Sequence, residues 1–282
     1  MKNSKNAILA SFVADSYALG AHWIYDEEQL NTLPINWDTL NAPQVMWHKG
    51  KAKGDFTHYG DQSLFLLEYL TQNHAFDKKQ YYDFWCNKMQ NYQGYVDGAT
   101  RNALENIDSG CTDLSICGRI APLLLVSKTK EEFLAHTKAV VEMTHNTPLA
   151  LETSQFFAEL LWDTKENQNL HQNIHSLKEN YPLLTKWIDE AIATKQSNTF
   201  TTIREFSPAC DIDGGFAGVI HLLFLEEDFQ TIMTKNAKAG GDSSARGMVV
   251  AMLLGVNNDF TLPSDWENNT NEIENIKKYL DF

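Results

Sequence analysis

The stretch at residues 238–255 places the tightest limits on how this chain can fold. Two glycines come first, then Asp242 and two serines, and then an almost purely apolar run. Glycines allow a tight turn, and a short polar side chain at a helix start pairs with backbone N–H groups that lack a partner within the helix. The sequence therefore predicts a turn that leads into a buried helix. Such a turn can serve as a plain cap, or it can bring a carboxylate and backbone donors to a ligand.

A second stretch repeats this order of residues. Gly60, Asp61, Gln62 and Ser63 precede the apolar residues 64–67. Two glycine-led aspartates at the starts of two buried helices are more informative than one. If the two helix starts converge, Asp61 and Asp242 can share a cation or a sugar.

Helical periodicity extends along most of the chain and predicts an all-α, single compact multi-helix domain. Roughly ten or more helices are expected, with no convincing run of alternating strands. The predicted helices include residues 6–25, 78–92, 131–143, 149–162, 183–194, 216–225, 229–238 and 272–282. Residues 34–56 are predicted to form a loop that borders a pocket. Asp15 lies within the first apolar helix, where it is either buried with a partner or turned towards solvent.

Charge and composition exclude several classes of partner. The formal net charge is −14, from 37 acidic and 23 basic residues, which argues against binding to nucleic acid or to an anionic membrane. No run of about 18 apolar residues is present, so no transmembrane helix is expected. The four cysteines form no CxxC pair, and no secretion signal is recognised. Reduced thiols in a cytoplasmic protein are therefore expected.

Common catalytic and metal motifs are absent from the sequence. No dinucleotide-binding or P-loop glycine pattern, no HExxH and no GxSxG occur. Cys111 and Cys117 have no matching histidine pair, so zinc is not expected. What remains is a set of oxygen-bearing side chains, and hard oxygen ligands suit Mg²⁺. The set comprises Asp15, Asp61, Ser63, Asp97, Asp113, Asp211, Asp213, Asp242 and Ser244.

Five segments in order along the chain carry a resemblance to known proteins. Asp15-Ser-Tyr-Ala-Leu-Gly20 is similar to a GDALG-type helix end, and residues 60–63 fall where a Thr-Asp-Asp-Thr metal motif would lie. Residues 97–101 and 119–122 resemble the middle segments of the same known proteins. Gly-Gly-Asp-Ser-Ser-Ala at 240–245 falls where those proteins carry a Gly-Gly-Asp-Thr-Asp-Thr motif. Together these segments resemble the ADP-ribosylglycohydrolase family over most of the chain. Gly-Asp-Gln-Ser at 60–63, Met-Thr-His-Asn at 143–146 and Gly-Gly-Phe at 214–216 resemble its J1-crystallin-like branch.

The resemblance implies one all-α domain over residues 1–282 with a central cleft. In this family two Mg²⁺ ions at the centre orient the ADP-ribose diol and activate the water that attacks the ribose carbon. The expected partner is thus a small-molecule or ADP-ribosylated substrate. Of the four motif carboxylates, Asp61 and Asp242 are retained, whereas Gln62 and Ser244 replace the other two. Because two carboxylates neutralise a pair of divalent ions less well, one Mg²⁺ or none is expected.

The resemblance also implies a role for each matching residue. Catalysis is assigned to Asp61 and Asp242, and metal binding to Asp61, Asp242 and Ser244. Ligand binding is assigned to Gln62, Ser63, Asp97, Arg119, His145, Gly241 and Ser243. From its sequence context alone, His145 is either a ligand or a structural histidine.

Two functions remain open at this point. The first is a Mg-assisted hydrolase that cleaves an N- or O-glycosidic bond at ADP-ribose or a related ligand. The second is a catalytically degenerate member that binds a nucleotide-sugar-like ligand or has a structural, crystallin-like role. Whole-chain resemblance favours the first, and the loss of half the motif carboxylates favours the second.

Overall fold

Helices joined by loops make up the computed structural model, which describes residues 2–281. The α-helices are α1 (Lys2–Ala18), α2 (Glu27–Thr32), α3 (His58–Asn73), α4 (Lys78–Gln90), α5 (Gly98–Leu104), α6 (Lys130–Val141), α7 (Pro148–Asn167), α8 (Leu170–Leu177), α9 (Thr185–Ala193), α10 (Thr199–Phe206), α11 (Ile212–Leu223), α12 (Phe229–Lys238), α13 (Ser243–Gly255), α14 (Ser264–Asn269) and α15 (Ile273–Leu280). Short 3₁₀ helices span Met46–His48, Leu114–Arg119, Ala121–Leu125 and Lys178–Asn180. Within the described residues, strand-like pairing consists of two isolated bridges, Ile24 with Gly241 and Asp113 with Asp211.

The centre of the core is the pair formed by α1 and α13, which make the most extensive helix contact of the fold. Both helices are buried along most of their length, so apolar residues occur all round α13 rather than on one face. The helices approach closely because small residues meet at their crossing. A Cβ atom at Gly255 would lie 2.7 Å from the Cα atom of Ala7. The pair thereby fixes the position of the loops that precede α13.

A buried guanidinium holds the turn before α13. Gly240 and Gly241 have φ angles of +77° and +64°, which favour glycine. Arg246 lies fully buried beneath them, where it donates to the Gly240 carbonyl at 2.6 Å and the Pro208 carbonyl at 3.2 Å. It also donates to the Asn236 side chain at 3.0 Å. Burial lowers the pKa of Arg246 to about 10, so the side chain stays charged at neutral pH. The turn is therefore fixed by charge-assisted hydrogen bonds.

The predicted all-α, single compact domain is confirmed, although several boundaries differ. The first helix begins at Lys2 and ends at Ala18, and α10 and α14 were not predicted. Residues 206–215 were predicted to be irregular, yet α11 begins at Ile212 within them. The glycine pair at 214–215 lowers helix propensity, but here it lets α11 pack closely against Ser207 and Leu114. Met1 and Phe282, which the predicted domain included, lie outside the described residues.

The helix lengths and the cysteines can be compared with what the composition predicts. No helix within residues 2–281 is both long enough and apolar enough to cross a membrane. All four cysteines are free thiols, and of these Cys117 is fully buried while the other three are partly exposed.

Replacing Gly241 by alanine should strongly destabilise the protein. Its positive φ disfavours any Cβ atom, and a Cβ atom there would also overlap the Pro208 carbonyl. Gly50 is the matched control, because its φ is +93° but a Cβ atom there meets nothing within 4 Å. We expect Gly50→Ala to lower the free energy of unfolding by about 1–2 kcal/mol and Gly241→Ala by about 2–5 kcal/mol. Urea unfolding measures both, and equal losses would contradict the proposed close approach.

Candidate functional site

Three helices meet at the buried carboxylate of Asp15. Its Oδ2 accepts from the Thr57 backbone N–H at 2.8 Å, and its Oδ1 accepts from the Thr57 hydroxyl at 2.6 Å and from the Ser244 hydroxyl. Thr57 caps α3, and Ser244 lies in the first turn of α13. Gly60 leaves room for this arrangement, since a Cβ atom there would overlap the Asp15 carboxylate. The starts of α3 and α13 thus lie side by side against the end of α1.

Asp242 is held entirely by protein groups. Its Oδ1 accepts from the Ala245 backbone N–H at 3.0 Å as a helix cap, and its Oδ2 accepts from the Tyr59 hydroxyl at 3.0 Å. His22 Nδ1 lies 3.5 Å from Oδ1, but this nitrogen accepts from the Ser244 N–H at 3.4 Å. Burial lowers the pKa of His22, so the contact is not an ion pair. Burial also raises the pKa of Asp242.

Asp61 faces a different environment. Its Oδ2 accepts from the Lys51 ammonium and from the Tyr92 hydroxyl, each at 2.5 Å. Burial raises the pKa of Asp61 even though Lys51 acts in the opposite direction. The side chain lies on the wall of a cavity of about 460 Å³ that Asn271 and Glu272 also line. Asp61 and Asp242 therefore have no protein partner in common, although their helix starts adjoin.

Gln62, Asp97 and Arg119 form one buried polar network. The Gln62 Oε1 accepts from Trp85 Nε1 at 3.0 Å and from Arg119 Nη1 at 2.8 Å, while its Nε2 donates to Thr100 at 3.3 Å. Asp97 caps α5 through Thr100 and lies 3.8 Å from the Arg119 guanidinium. Burial acts to raise the pKa of Asp97, but the charge of Arg119, the nearby His58 and the hydrogen bonds from Thr100 together outweigh it, so the pKa is lowered. These three predicted ligand-binding residues are brought together.

The other residues predicted for ligand binding lie around this network and the turn before α13. Ser63 is buried on α3. Gly241 pairs with Ile24 in an isolated bridge, and Ser243 is fully buried with an Oγ that has no partner among the described residues. His145 is buried in the loop before α7, where its Nδ1 contacts the Thr144 hydroxyl at 2.8 Å.

Aromatic and imidazole rings form a cluster that the sequence analysis did not identify. Its members, here called the ring cluster, are His22, Trp23, His48, His58, Tyr59 and Tyr95. Trp23 contacts His58 at 5.3 Å and Tyr95 at 5.0 Å between ring centroids. Trp23 also has a φ of +66°, which is rare for a bulky residue and is held by its N–H bond to the Gly241 carbonyl at 2.8 Å. One signal was available: three pairs of histidine and an aromatic residue, at 22–23, 47–48 and 58–59.

Buried nitrogens without a hydrogen-bond partner concentrate at the ring cluster and beside Arg119. Among the described residues they are Trp23 Nε1, His22 Nε2, His48 Nε2, both ring nitrogens of His58, Nε and Nη2 of Arg119, and His145 Nε2. Burial lowers the pKa of His48 to about 4, and burial also dominates in lowering that of His58 to about 3. These imidazoles are neutral at pH 7, so each can donate one hydrogen bond and accept another.

Three carboxylates lie near the Tyr59 hydroxyl. Asp97, Asp113 and Asp242 all act electrostatically on its hydroxyl. Burial raises the pKa of Asp113 to about 6, and Asp242 adds to the shift. Within residues 2–281, one set of three side chains offers ligand atoms within 4.8 Å of one another, namely Cys111, Asp113 and His145. Neither Asp61 nor Asp242 belongs to this set.

The fold and the site together define an all-α protein with a buried polar centre that carboxylates flank. The chain belongs to the ADP-ribosylglycohydrolase family, whose model matches residues 2–281. The expected family is therefore confirmed.

Similar proteins agree with this assignment. Crystallin J1A of Tripedalia cystophora is 25% identical over 310 residues, which cover 99% of this chain and 95% of the crystallin. Crystallin J1B of the same organism is 26% identical over 311 residues, covering 98% and 94%. A solved structure described as an ADP-ribosylglycohydrolase-related protein complex superposes with a TM-score of 0.72 at 20% identity, covering 99% of this chain and 97% of that one. That structure supports the fold.

The Asp15 carboxyl should make stability depend on pH in a defined direction. Burial raises its pKa to about 6 against an ordinary 3.8, despite its three hydrogen bonds. A raised pKa stabilises the folded state below pH about 4, and this contribution is lost as the pH rises through about 6. The free energy of unfolding of the wild type, relative to Asp15→Asn, should therefore fall by about 3 kcal/mol between pH about 4 and 7. Urea titrations over this range measure it, and a constant difference would contradict the assignment.

Proposed function

We propose that this protein binds an ADP-ribosyl or related nucleotide-sugar ligand in the central cleft, between the ring cluster and Arg119. The observation that carries the proposal is the concentration of buried nitrogens without protein partners. An unsatisfied buried donor costs roughly 1–3 kcal/mol, and folded proteins contain few of them. Trp23, His58 and Arg119 together leave several such atoms on one side of the molecule. A ligand rich in oxygen atoms would satisfy them.

The charges in this region suit a phosphorylated sugar. Arg119 carries the positive charge, and its Nη1 is already fixed by Gln62, while Nε and Nη2 make no hydrogen bond and Nη2 lies 3.8 Å from Asp97. A guanidinium fixed in this way can present two donors to a phosphate or a diol. The neutral imidazoles of His48 and His58 add groups that both donate and accept, as sugar hydroxyls require.

Aromatic rings lead from the buried end of the cleft to its surface. Trp23 contacts Tyr95 edge to face at 5.0 Å, and Tyr95 contacts Trp47 at 6.0 Å. Trp47 is 57% exposed, although tryptophan is usually buried. Exposed aromatic faces bind planar rings by stacking. The path from Trp47 to Trp23 is therefore suited to a nucleobase whose sugar and phosphates lie deeper.

The motif residues do not fit two Mg²⁺ ions. The Lys51 ammonium already neutralises Asp61, and the Gln62 carbonyl oxygen already accepts from the Arg119 guanidinium. The Ser244 hydroxyl donates to Asp15, so its oxygen is turned towards a carboxylate. Cationic groups beside two of the four motif positions oppose a divalent ion there.

Mg-assisted hydrolysis of an N- or O-glycosidic bond at ADP-ribose is the second candidate. Membership of the family and the retained Asp61 and Asp242 favour it. The similarity to crystallins J1A and J1B favours a structural role, which ligand binding does not exclude.

Calorimetric titration with ADP-ribose separates the candidates. We expect ADP-ribose to bind with the same affinity in Mg²⁺ and in a chelator, with no ADP-ribose released from an ADP-ribosylated peptide. Failure of ADP-ribose to bind under either condition would contradict the proposal. Release that requires Mg²⁺ and disappears in Asp242→Asn would instead establish the hydrolase.

Arg119→Lys tests the binding geometry directly. The substitution keeps the charge but removes the planar pair of free donors, so ADP-ribose should bind roughly 10–100-fold more weakly. Arg101→Lys is the matched control, because Arg101 is an exposed arginine on α5 and should leave the affinity unchanged. Circular dichroism confirms that both variants fold. Equal affinities for the two folded variants would remove Arg119 from the site.

A further inference from the structure

Two loops bring three different ligand types together at the edge of the cleft. Cys111 and Asp113 precede the 3₁₀ helix at Leu114–Arg119, and His145 lies between α6 and α7. The Cys111 Sγ, a carboxylate oxygen of Asp113 and a ring nitrogen of His145 all lie within 4.8 Å of one another. A thiol, a carboxylate and an imidazole are the side chains that zinc sites use.

Hydrogen bonds fasten the two loops to each other. The Ser109 hydroxyl donates to the Thr144 carbonyl at 2.7 Å and accepts from the Cys111 backbone N–H at 3.1 Å. The Thr147 hydroxyl donates to the Cys111 carbonyl at 3.2 Å. These bonds hold the residues on either side of His145 against the loop that carries Cys111. The three ligand side chains are thus placed by the fold and not by chance proximity of mobile chains.

The His145 ring is oriented as in a metal site. Its Nδ1 contacts the Thr144 hydroxyl at 2.8 Å, and its Nε2 is buried without any partner among the described residues. The side chain as a whole is 1% exposed. Metal-bound histidines typically use one ring nitrogen for the metal while a hydrogen bond at the other fixes the ring. A buried Nε2 with no protein partner is the independent sign that an atom from outside the chain belongs there.

We propose that Cys111, Asp113 and His145 bind one Zn²⁺ ion, with a fourth position left to water or a ligand. The thiolate, the carboxylate and the neutral imidazole together carry two negative charges, which neutralise the ion. On binding, the thiol proton passes to solvent and the sulfur lone pair forms the bond to zinc. A thiolate is a soft ligand, so the site selects zinc over magnesium.

The surrounding charges and access are compatible with a bound cation. Asp97, Asp211 and Asp242 all act electrostatically on Asp113, and Arg119 is the opposing positive charge near His145. Tetrahedral zinc ligands lie roughly 3.3–3.8 Å apart, so rotations of the side chains from the present separation of up to 4.8 Å would complete the site. Cys111 and Asp113 are partly exposed, which gives an ion a path in from solvent.

This site is distinct from the motif positions of the family. No zinc was expected, because Cys111 and Cys117 have no matching histidine pair in the sequence. Cys117 is fully buried in the apolar core, and the partners of Cys111 come from Asp113 and a histidine 34 positions away. The inference does not depend on ADP-ribose binding, since zinc alone is the ligand.

Titration with Co²⁺, a spectroscopic substitute for zinc, tests the proposal on the full chain. One equivalent of Co²⁺ should give a thiolate-to-cobalt charge-transfer band together with the visible bands of a tetrahedral ion, and Zn²⁺ should displace it. Cys111→Ser should abolish the charge-transfer band. His145→Gln should keep the thiolate but weaken binding at least roughly 10–100-fold, because even residues behind a metal ligand contribute that much.

Cys86→Ser is the matched control. Cys86 is likewise a partly exposed free thiol, but it belongs to no metal-ligand set among residues 2–281, so the bands should persist. Circular dichroism identifies variants that fail to fold. Asp113→Asn is the substitute for any ligand variant that does not fold. The proposal is overturned if the wild type shows no charge-transfer band, or if a folded Cys111→Ser variant retains it. Neither outcome would bear on ADP-ribose binding, which is also measured in a chelator.

Discussion

The buried carboxylate of Asp15 is the interaction on which the site depends. It accepts hydrogen bonds from the cap of α3 and from the first turn of α13, and thereby ties both helix starts to α1. A carboxylate with no exposure is costly unless its oxygens are paired, and here each oxygen has a donor. Because α1 and α13 also form the centre of the core, the same packing that stabilises the fold sets the position of the cleft.

The residues at the motif positions make their contacts with the protein itself. Gly60 lacks the side chain that would collide with Asp15, and Ser244 is short enough to donate to it. Gln62 can satisfy Trp85, Arg119 and Thr100 at once, because an amide both accepts and donates. A carboxylate in place of Gln62 or Ser244 would bring a further negative charge into this interior. The substitutions are therefore mutually consistent in a network of protein hydrogen bonds.

Buried nitrogens without a hydrogen-bond partner, in contrast, concentrate at the ring cluster and beside Arg119. The ring cluster and Arg119 present donors, and the loops with Cys111 and His145 present metal ligands. The surrounding structure holds both sets in place. The left-handed backbone conformation of Trp23 fixes the position of that residue, and the contact with Thr144 fixes the His145 ring. Such placement is what distinguishes a binding surface from an ordinary polar interior.

The sequence by itself determined the all-α fold, the family and the helix start capped by Asp242, because helical periodicity and a glycine–aspartate turn are local properties. The predicted turn at Gly60 and Asp61 lies inside α3, which Thr57 caps. It did not determine what each side chain meets. The partners of Asp61 are Lys51 and Tyr92, and those of Asp15 come from two other helices. The local sequence pattern also could not predict that Cys111 lies near His145, since only the packing of two loops brings them together. The tertiary structure decided these contacts, because they depend on distances between segments far apart in the chain.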